Sequence, residues 1–397
     1  MQKQHIGVLF GGVLLLVVAM GISRFAFTPI LPFMRIGEGL SFEEGGYLAS
    51  SNYIGYFVGA LGAGFIYRNK KNFLLLTVIL NVFSIFFMGL THSFLLWVLL
   101  RFIAGATSGF IFVLTSSIIM DYLAAHFQTR FSGFLFSGIG IGIAISGLLV
   151  PFLEGSFGWE GTWLGLGILS ALLLMITLFL WRNISIQNSE KVEKSKETKI
   201  LQGFMPWLII AYGLEGLGYI ITGTFLVDII YNIESLRPFA SFSWVIAGIA
   251  AAPAAPLWML FISRYSTVKV LSIAYTLQVI GILLPVITQT SWSVLLSAFL
   301  FGFTFVGIVS LSTAYARELF PKQSGVVVSA LTTVYALGQI IGPILASSVE
   351  AYFNSFKAPL SFAGSIVTLA LAILLVGKWY STRKELSKDI EVYHHSS

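Results

Sequence analysis

Four ionisable side chains stand inside long apolar runs: Arg24, Arg101, Glu215 and Asp228. A charge held within a membrane costs from about 2.5 kcal/mol upward, so each one needs a partner or a function. The guanidiniums of Arg24 and Arg101 suit an anionic or acceptor-rich ligand, or else a fixed pairing with backbone carbonyls. Glu215 suits a proton or cation site, because a buried carboxyl can change its charge under the pull of its neighbours. Asp228 lies only a few residues from the end of its run, where snorkelling or hydration explains it. Thirteen residues separate it from Glu215, about 220° around a helix, so the two cannot share one face of an unbroken helix; Gly223 between them leaves a break possible.

Helical spacing places Met20, Thr28 and Leu31 on the face of Arg24, and Tyr212, Tyr219 and Thr222 on the face of Glu215. Polar groups among aromatics suit a mostly apolar or amphipathic solute held by few anchors. Taken singly, each Tyr or Thr reads first as an interhelical hydrogen bond, and so do Asn52, Tyr53, Tyr335 and Gln339, with a gating role as the alternative. No catalytic set emerges. Cysteine is absent, which removes disulfides, thiolate nucleophiles and Cys-based metal sites. His5, His92, His126, His394 and His395 lie at loops or termini without metal-ligand spacing, so no metal and no cofactor is expected. No Gly-rich loop precedes a Lys-Ser/Thr pair, which argues against ATP-driven chemistry.

The elements that position these residues follow from composition. The chain has 397 residues, 57% apolar and 10% charged. A soluble domain carries about 25% charged residues, so a cytosolic enzyme, a secreted domain, a disordered chain and a coiled coil are all excluded. Apolar runs near 6–33, 44–67, 73–91, 94–120, 131–153 and 160–181, then 205–230, 239–263, 268–288, 291–316, 324–349 and 359–380, predict twelve spans in two sets of six. The first is too long for the roughly 7–15-residue apolar stretch of a signal peptide and is expected to stay in the mature protein. Between the sixth and seventh lies the charged stretch Ser189–Lys199, a solvated linker.

Lys and Arg counted by alternate loop give eighteen on one side and three (Arg35, Arg237 and Lys357) on the other. By the positive-inside rule both termini are then cytoplasmic. The net charge of +6 has this topological origin, and nucleic-acid binding is not expected.

The halves read as copies. Gly133 and Pro151 recur as Gly325 and Pro343 at an offset of 192, each glycine following a serine. Phe65-Ile66-Tyr67-Arg68 recurs as Phe261-Ile262-Ser263-Arg264 at an offset of 196. Arg68 with Asp121, and Arg264 with Glu318, hold equivalent places at the cytoplasmic ends of the halves, so each pair is a candidate latch.

Two six-helix halves, a charged central loop and these glycine patterns resemble the major facilitator superfamily over nearly the whole chain. Arg101-x3-Gly105-x3-Gly109 is similar to that superfamily's basic motif on span 4. Gly138-x8-Gly147-x3-Pro151 is similar to its antiporter motif, with Val150 where a Gly would precede the Pro, and Gly338-x3-Gly342-Pro343 repeats the tail more closely. Tyr67-Arg68-Asn69-Lys70-Lys71 is basic like the signature loop after span 2 but lacks its Asp and central Gly. Residues Gly21–Pro32 and Gly46–Tyr56 resemble the YbfB/YjiJ-type group within the superfamily. The resemblance implies that spans 1, 4, 7 and 10 line a central cavity, and Arg24, Arg101, Glu215 and Asp228 all fall on those spans.

The expectation is therefore an all-α membrane protein of twelve helices in two pseudo-symmetric bundles. Residues 1–182 form the first half, 183–204 a cytoplasmic loop, 205–380 the second half and 381–397 a cytoplasmic tail. The expected function is secondary active transport of a small solute by alternating access, coupled to protons, with export favoured by the antiporter-like pattern. The alternatives are an uncoupled facilitator and a membrane sensor or scaffold with a transporter fold. The chain is expected to be a lipid-embedded monomer of the cytoplasmic membrane, with Arg24, Thr28, Arg101, Tyr212, Glu215 and Tyr219 at its binding or coupling site.

Overall fold

The computed structural model describes residues 2–66, 69–128, 131–182 and 200–395. Among them the regular structure is helical: α1 (Gln2–Leu16), α2 (Phe27–Glu38), α3 (Phe42–Ala63), α4 (Lys70–Met88), α5 (Phe94–Ala125), α6 (Ser132–Leu135), α7 (Ser137–Leu180), α8 (Met205–Tyr231), α9 (Ala240–Ala251), α10 (Ala254–Ile262), α11 (Thr267–Ile287), α12 (Ser291–Leu319), α13 (Ser324–Phe353) and α14 (Ala358–His395).

Among the described residues, nine helices are long and apolar enough to cross a membrane, or ten if α9 and α10, bent by 43° at their junction, count as one. Two features separate that number from the expected twelve. The first is α7, whose 44 residues would run about 66 Å if straight, roughly twice a bilayer core. Gly158 interrupts it with φ 70 and ψ −178, a conformation outside the helical region that only glycine adopts freely. The second is α3, which has the length but too polar a sequence. Its start is fixed by a capping box in which Ser41 and Glu44 each accept from the other's backbone N–H, at 3.0 and 2.8 Å. Its polar stripe is turned inward: Ser51 donates to the Val98 carbonyl and Asn52 to that of Arg101. Gly55, Gly59 and Gly105 bring α3 and α5 so close that a Cβ at any of them would collide with backbone of the other helix.

The first span is one helix, His5–Glu38, with an interruption in its α-helical hydrogen bonding. A π-helical turn, Val17–Ile22, follows α1, and the chain resumes as α2 only at Phe27. Pro29 has no N–H to give the Phe25 carbonyl, which accepts from Thr28 instead at 3.3 Å. The break opens at Ser23–Ala26, the turn that carries Arg24. Such interruptions within a membrane are tolerated only where other protein groups satisfy the freed backbone. The span also runs farther than expected: Arg35 is helical in α2, not in a loop.

Val8 accepts from the Trp181 indole, and Trp207 packs on Tyr380, so each half returns to its starting end. The halves meet along α2–α8, α3–α13 and α7–α9, the last two being equivalent under the repeat. At the end opposite the termini, Phe42 stacks on Phe225 with centroids 4.0 Å apart. Toward the termini, no comparable packing joins α1 to α8 or α5 to α12 among the described residues. The bundle is closed at the end away from the termini.

Candidate functional site

The break in span 1 aims Arg24 at the opposite half. The side chain is 3% exposed, and its guanidinium lies 4.2 Å from the Tyr56 ring centre and 5.0 Å from that of Tyr53. It donates to Gln339 Oε1 at 2.5 Å, and the Gln339 amide donates to the Tyr219 hydroxyl at 2.8 Å. Tyr335 and Gln339 stand one turn apart on α13, and Tyr212, Glu215 and Tyr219 share a stripe on α8 at i, i+3, i+7, so the two faces mesh. Tyr219 stacks on Tyr335 at 5.4 Å and 15°, and Tyr335 on Tyr212 at 4.3 Å and 17°.

Glu215 is completely buried and accepts one hydrogen bond, 2.8 Å from the Gln278 amide on α11. The Tyr335 hydroxyl neighbours its carboxyl, but neither Glu215 Oε2 nor that hydroxyl completes a hydrogen bond. Tyr212, Tyr219, Tyr275, Gln278 and Tyr335 surround it, and no cation is within ion-pairing distance among the described residues. Arg24 and Glu215 are thus joined through Gln339, Tyr219 and Tyr335 rather than directly.

Thr28 crosses the seam as well, donating to the Gly223 carbonyl at 2.5 Å. α8 runs unbroken through Gly223, so the break allowed for there occurs in span 1 instead. Ser50 reaches the Ile340 carbonyl, and the Tyr53 and Thr224 hydroxyls lie 3.1 Å apart.

Arg101 has a different geometry from Arg24. It is 1% exposed and donates to two carbonyls of its own half, Ser23 at 3.0 Å and Leu48 at 3.4 Å, with Phe27 under its guanidinium at 4.3 Å. In a regular α-helix the Ser23 carbonyl would accept from Phe27; here that bonding is interrupted and Arg101 takes that place. Asn81 reinforces the same point, donating to Ser23 Oγ at 2.9 Å and Thr107 Oγ1 at 2.8 Å. Arg101 braces the turn that presents Arg24.

Asp228 departs from its expectation. It is 1% exposed and ion-paired with Arg35 across the halves, rather than snorkelling at an interface. Arg35 also donates to the Leu40 carbonyl at 3.2 Å. Of the two latches, Arg68 lies outside the described residues; Asp121 accepts from Ser117 at 3.3 Å. Arg264 and Glu318 are both exposed and form no ion pair in this conformation.

Sequence reasoning missed Gln278, Tyr275, Asn81 and the pairing of Arg35. Gln278 and Asn81 carried a legible signal, as lone amides in apolar spans. Arg35 did not, because charge counting assigned it to a loop. A further group gathers on the surface: ligand atoms of Glu38, His92 and Glu160 lie within 4.8 Å of one another, with His92 Nδ1 2.8 Å from Glu38. These residues come from three separate segments, so linear spacing gave no hint of the cluster.

Residues 16–375 match the family described as "Uncharacterised MFS-type transporter YbfB". The proposed niacin/nicotinamide transporter NiaP of Bacillus subtilis (strain 168) is 24% identical over 409 aligned positions, covering 95% of this chain and 96% of that one. The quinolone resistance protein NorA of Staphylococcus aureus (strain COL) is 21% identical, covering 96% and 98%. A crystal structure of a variant of the nucleoside transporter NupG superposes with a TM-score of 0.76 at 15% identity, covering 93% of this chain and 99% of that one.

Proposed function

The chain belongs to the YbfB-type family of major facilitator superfamily transporters, and from that premise we propose proton-coupled transport of a small solute by alternating access, with Glu215 as the coupling site. The observation that carries this reading is a fully buried carboxyl inside the second half, one helical turn from the seam-facing Tyr219, bonded by one neutral amide and left with a free oxygen. Such a group is poised between two demands. Desolvation favours its neutral form, and contact with water or a cation favours its charged form. When the seam opens to one side and then the other, Glu215 meets water from each in turn. A proton taken on one side is released on the other, and the Arg24–Gln339–Tyr219–Tyr335 chain links that event to whatever Arg24 holds.

The proposed orientation places both termini in the cytoplasm, so the closed end faces outward and the structure represents an inward-facing state. Export is the direction that the resemblance of Gly138–Pro151 to the antiporter motif suggests. Two of that stretch's glycines serve packing between the halves: Gly140 lies against Ala252, and Gly147 against Val245. The names of the two relatives point to solutes built on flat rings, nicotinate and the quinolones.

The test uses proteoliposomes loaded with a pH-sensitive dye and supplied with labelled nicotinate or a quinolone. The parent protein should move solute against its gradient when a proton gradient is imposed. Glu215→Gln should lose that driven component and keep solute exchange. If Glu215→Gln drives transport as well as the parent, Glu215 is structural and an uncoupled facilitator, or another coupling site, takes precedence.

A further inference from the structure

Arg24 and Arg101 are both buried, and both lack an acidic partner among the described residues. The remaining buried acid near them, Glu215, faces neutral groups, while Asp228 is already neutralised by Arg35. Two positive charges in the centre of the bundle are therefore uncompensated. A buried charge without a counter-charge is costly, and the cost falls when an anion arrives. Arg101 gives Nε and Nη1 to two carbonyls of its own half and leaves Nη2 without a partner. Arg24 spends one on the neutral amide of Gln339, across the seam, and leaves Nε without a partner.

The wall opposite Arg24 is aromatic and ordered. Tyr212, Tyr335, Tyr219 and Phe305 form a ladder of nearly parallel rings, with successive interplanar angles of 17°, 15° and 7°. Centroid spacings of 4.3, 5.4 and 5.7 Å leave no room for another ring between them. A solute must therefore meet the ladder at the seam, when the halves part and the Arg24–Gln339 bond opens. A carboxylate then replaces the Gln339 amide on Arg24 with a charge-assisted, two-point contact. The faces of Tyr219 and Tyr335 are covered by their neighbours, so the solute's ring meets their edges, an edge-to-face contact that favours a flat π-system over a puckered one.

We propose that the solute is a planar aromatic monoanion, a ring carboxylate, held by Arg24 at its acid group and by the Tyr219–Tyr335 ladder at its ring. The inference rests on the transport reading for its site and adds the chemical class. It also gives Gln339 a role. The neutral amide occupies Arg24 while no solute is bound, and yields because a charged acceptor binds a guanidinium more strongly.

The test is binding to the purified full chain, by isothermal titration, of four probes. Benzoate is flat and anionic, cyclohexanecarboxylate is anionic with a puckered ring, benzamide is flat and neutral, and ethidium is flat and cationic. Benzoate should bind at least about tenfold more tightly than each of the others, the scale of one charge-assisted contact. Arg24→Gln should erase the preference for benzoate over benzamide. Because that variant can fail to fold, Gln339→Glu provides an independent arm. It ties an anion to Arg24 and should abolish benzoate binding in a protein that still melts cooperatively. Equal or tighter binding of ethidium or cyclohexanecarboxylate overturns the proposal, as does undiminished benzoate binding by Gln339→Glu, or no binding of benzoate at millimolar concentration. Ethidium moved by a proton gradient through a protein that ignores benzoate would leave the transport reading standing and remove the solute class. Benzoate bound by Arg24 in a protein that no proton gradient drives would do the reverse.

Discussion

Arg35 on α2 and Asp228 on α8 form an ion pair between the two halves, with Asp228 1% and Arg35 16% exposed. The pair sits beside the Phe42–Phe225 stack at the closed end of the bundle and ties that end shut. Removing one member of a buried charge pair costs about 2–5 kcal/mol, much of it from stranding the other. The cost falls on the closed arrangement, where Arg35 has lost most of its water, and less on an open one.

Asp228→Asn should therefore open this end more often. The absence of cysteine gives a background-free assay. A single cysteine at Leu226, itself fully buried, should react with a membrane-impermeant maleimide at least about fivefold faster in Asp228→Asn than in the parent. The exchange Arg35→Asp with Asp228→Arg should restore slow labelling. Equal labelling in all three proteins would mean that the aromatic stack alone holds the end closed.

Arg101 and Arg24 should separate when each is neutralised. Arg101→Gln strands the carbonyls of Ser23 and Leu48 inside the bundle, at about 1–3 kcal/mol for each unsatisfied group. It should lower the melting temperature of the purified protein markedly, with Arg101→Lys recovering part of the loss. A variant that melts like the parent but no longer binds solute would make Arg101 a ligand and not a brace.

The glycines divide the same way. A Cβ on Gly105 would strike the Asn52 carbonyl, whereas one on Gly133 meets nothing within 4 Å. Gly105→Leu should abolish a monodisperse folded protein on size-exclusion chromatography. Gly133→Ala should change stability by no more than about 0.5 kcal/mol, the range of a surface substitution, although Gly133 belongs to the repeat that revealed the two halves.

That contrast shows what composition and spacing reach. Apolar run length locates crossings because the bilayer fixes it, so most elements fall where the sequence puts them. The join at Gly158 falls in the gap read between the fifth and sixth spans, because Glu154, Ser156 and Glu160 interrupt the apolar run there. The break at Ser23–Ala26 is signalled by Pro29 and Pro32, but prolines also sit inside helices that stay whole, as Pro343 does in α13. Arg24 and Glu215 were legible as costly charges. Their link was not, because Gln339 and Gln278 come from distant helices, and a lone amide in an apolar run looks like any interhelical hydrogen bond. Asp228 misleads because depth along one helix says nothing of the partner that another helix brings.

Which side the closed end faces decides how the site works, and the chain's charges predict it. Counted along the sequence by alternate breaks between spans, eighteen Lys and Arg residues fall on the side of the termini and three on the other. Positive loops are retained in the cytoplasm during insertion, so reporter fusions after Lys199 and after Lys388 should both report cytoplasm. A fusion after Asn232, the residue that caps α8 and donates to the Asp228 carbonyl, should report the outside. With that orientation the Arg35–Asp228 pair is an external gate, and Leu226→Cys is labelled from outside the cell. Solute and proton then reach Arg24 and Glu215 from the cytoplasm in the state described here. If the fusion after Asn232 reports cytoplasm, the same arrangement is outward-facing. The gate becomes internal, and the roles of the two sides in loading Glu215 are exchanged.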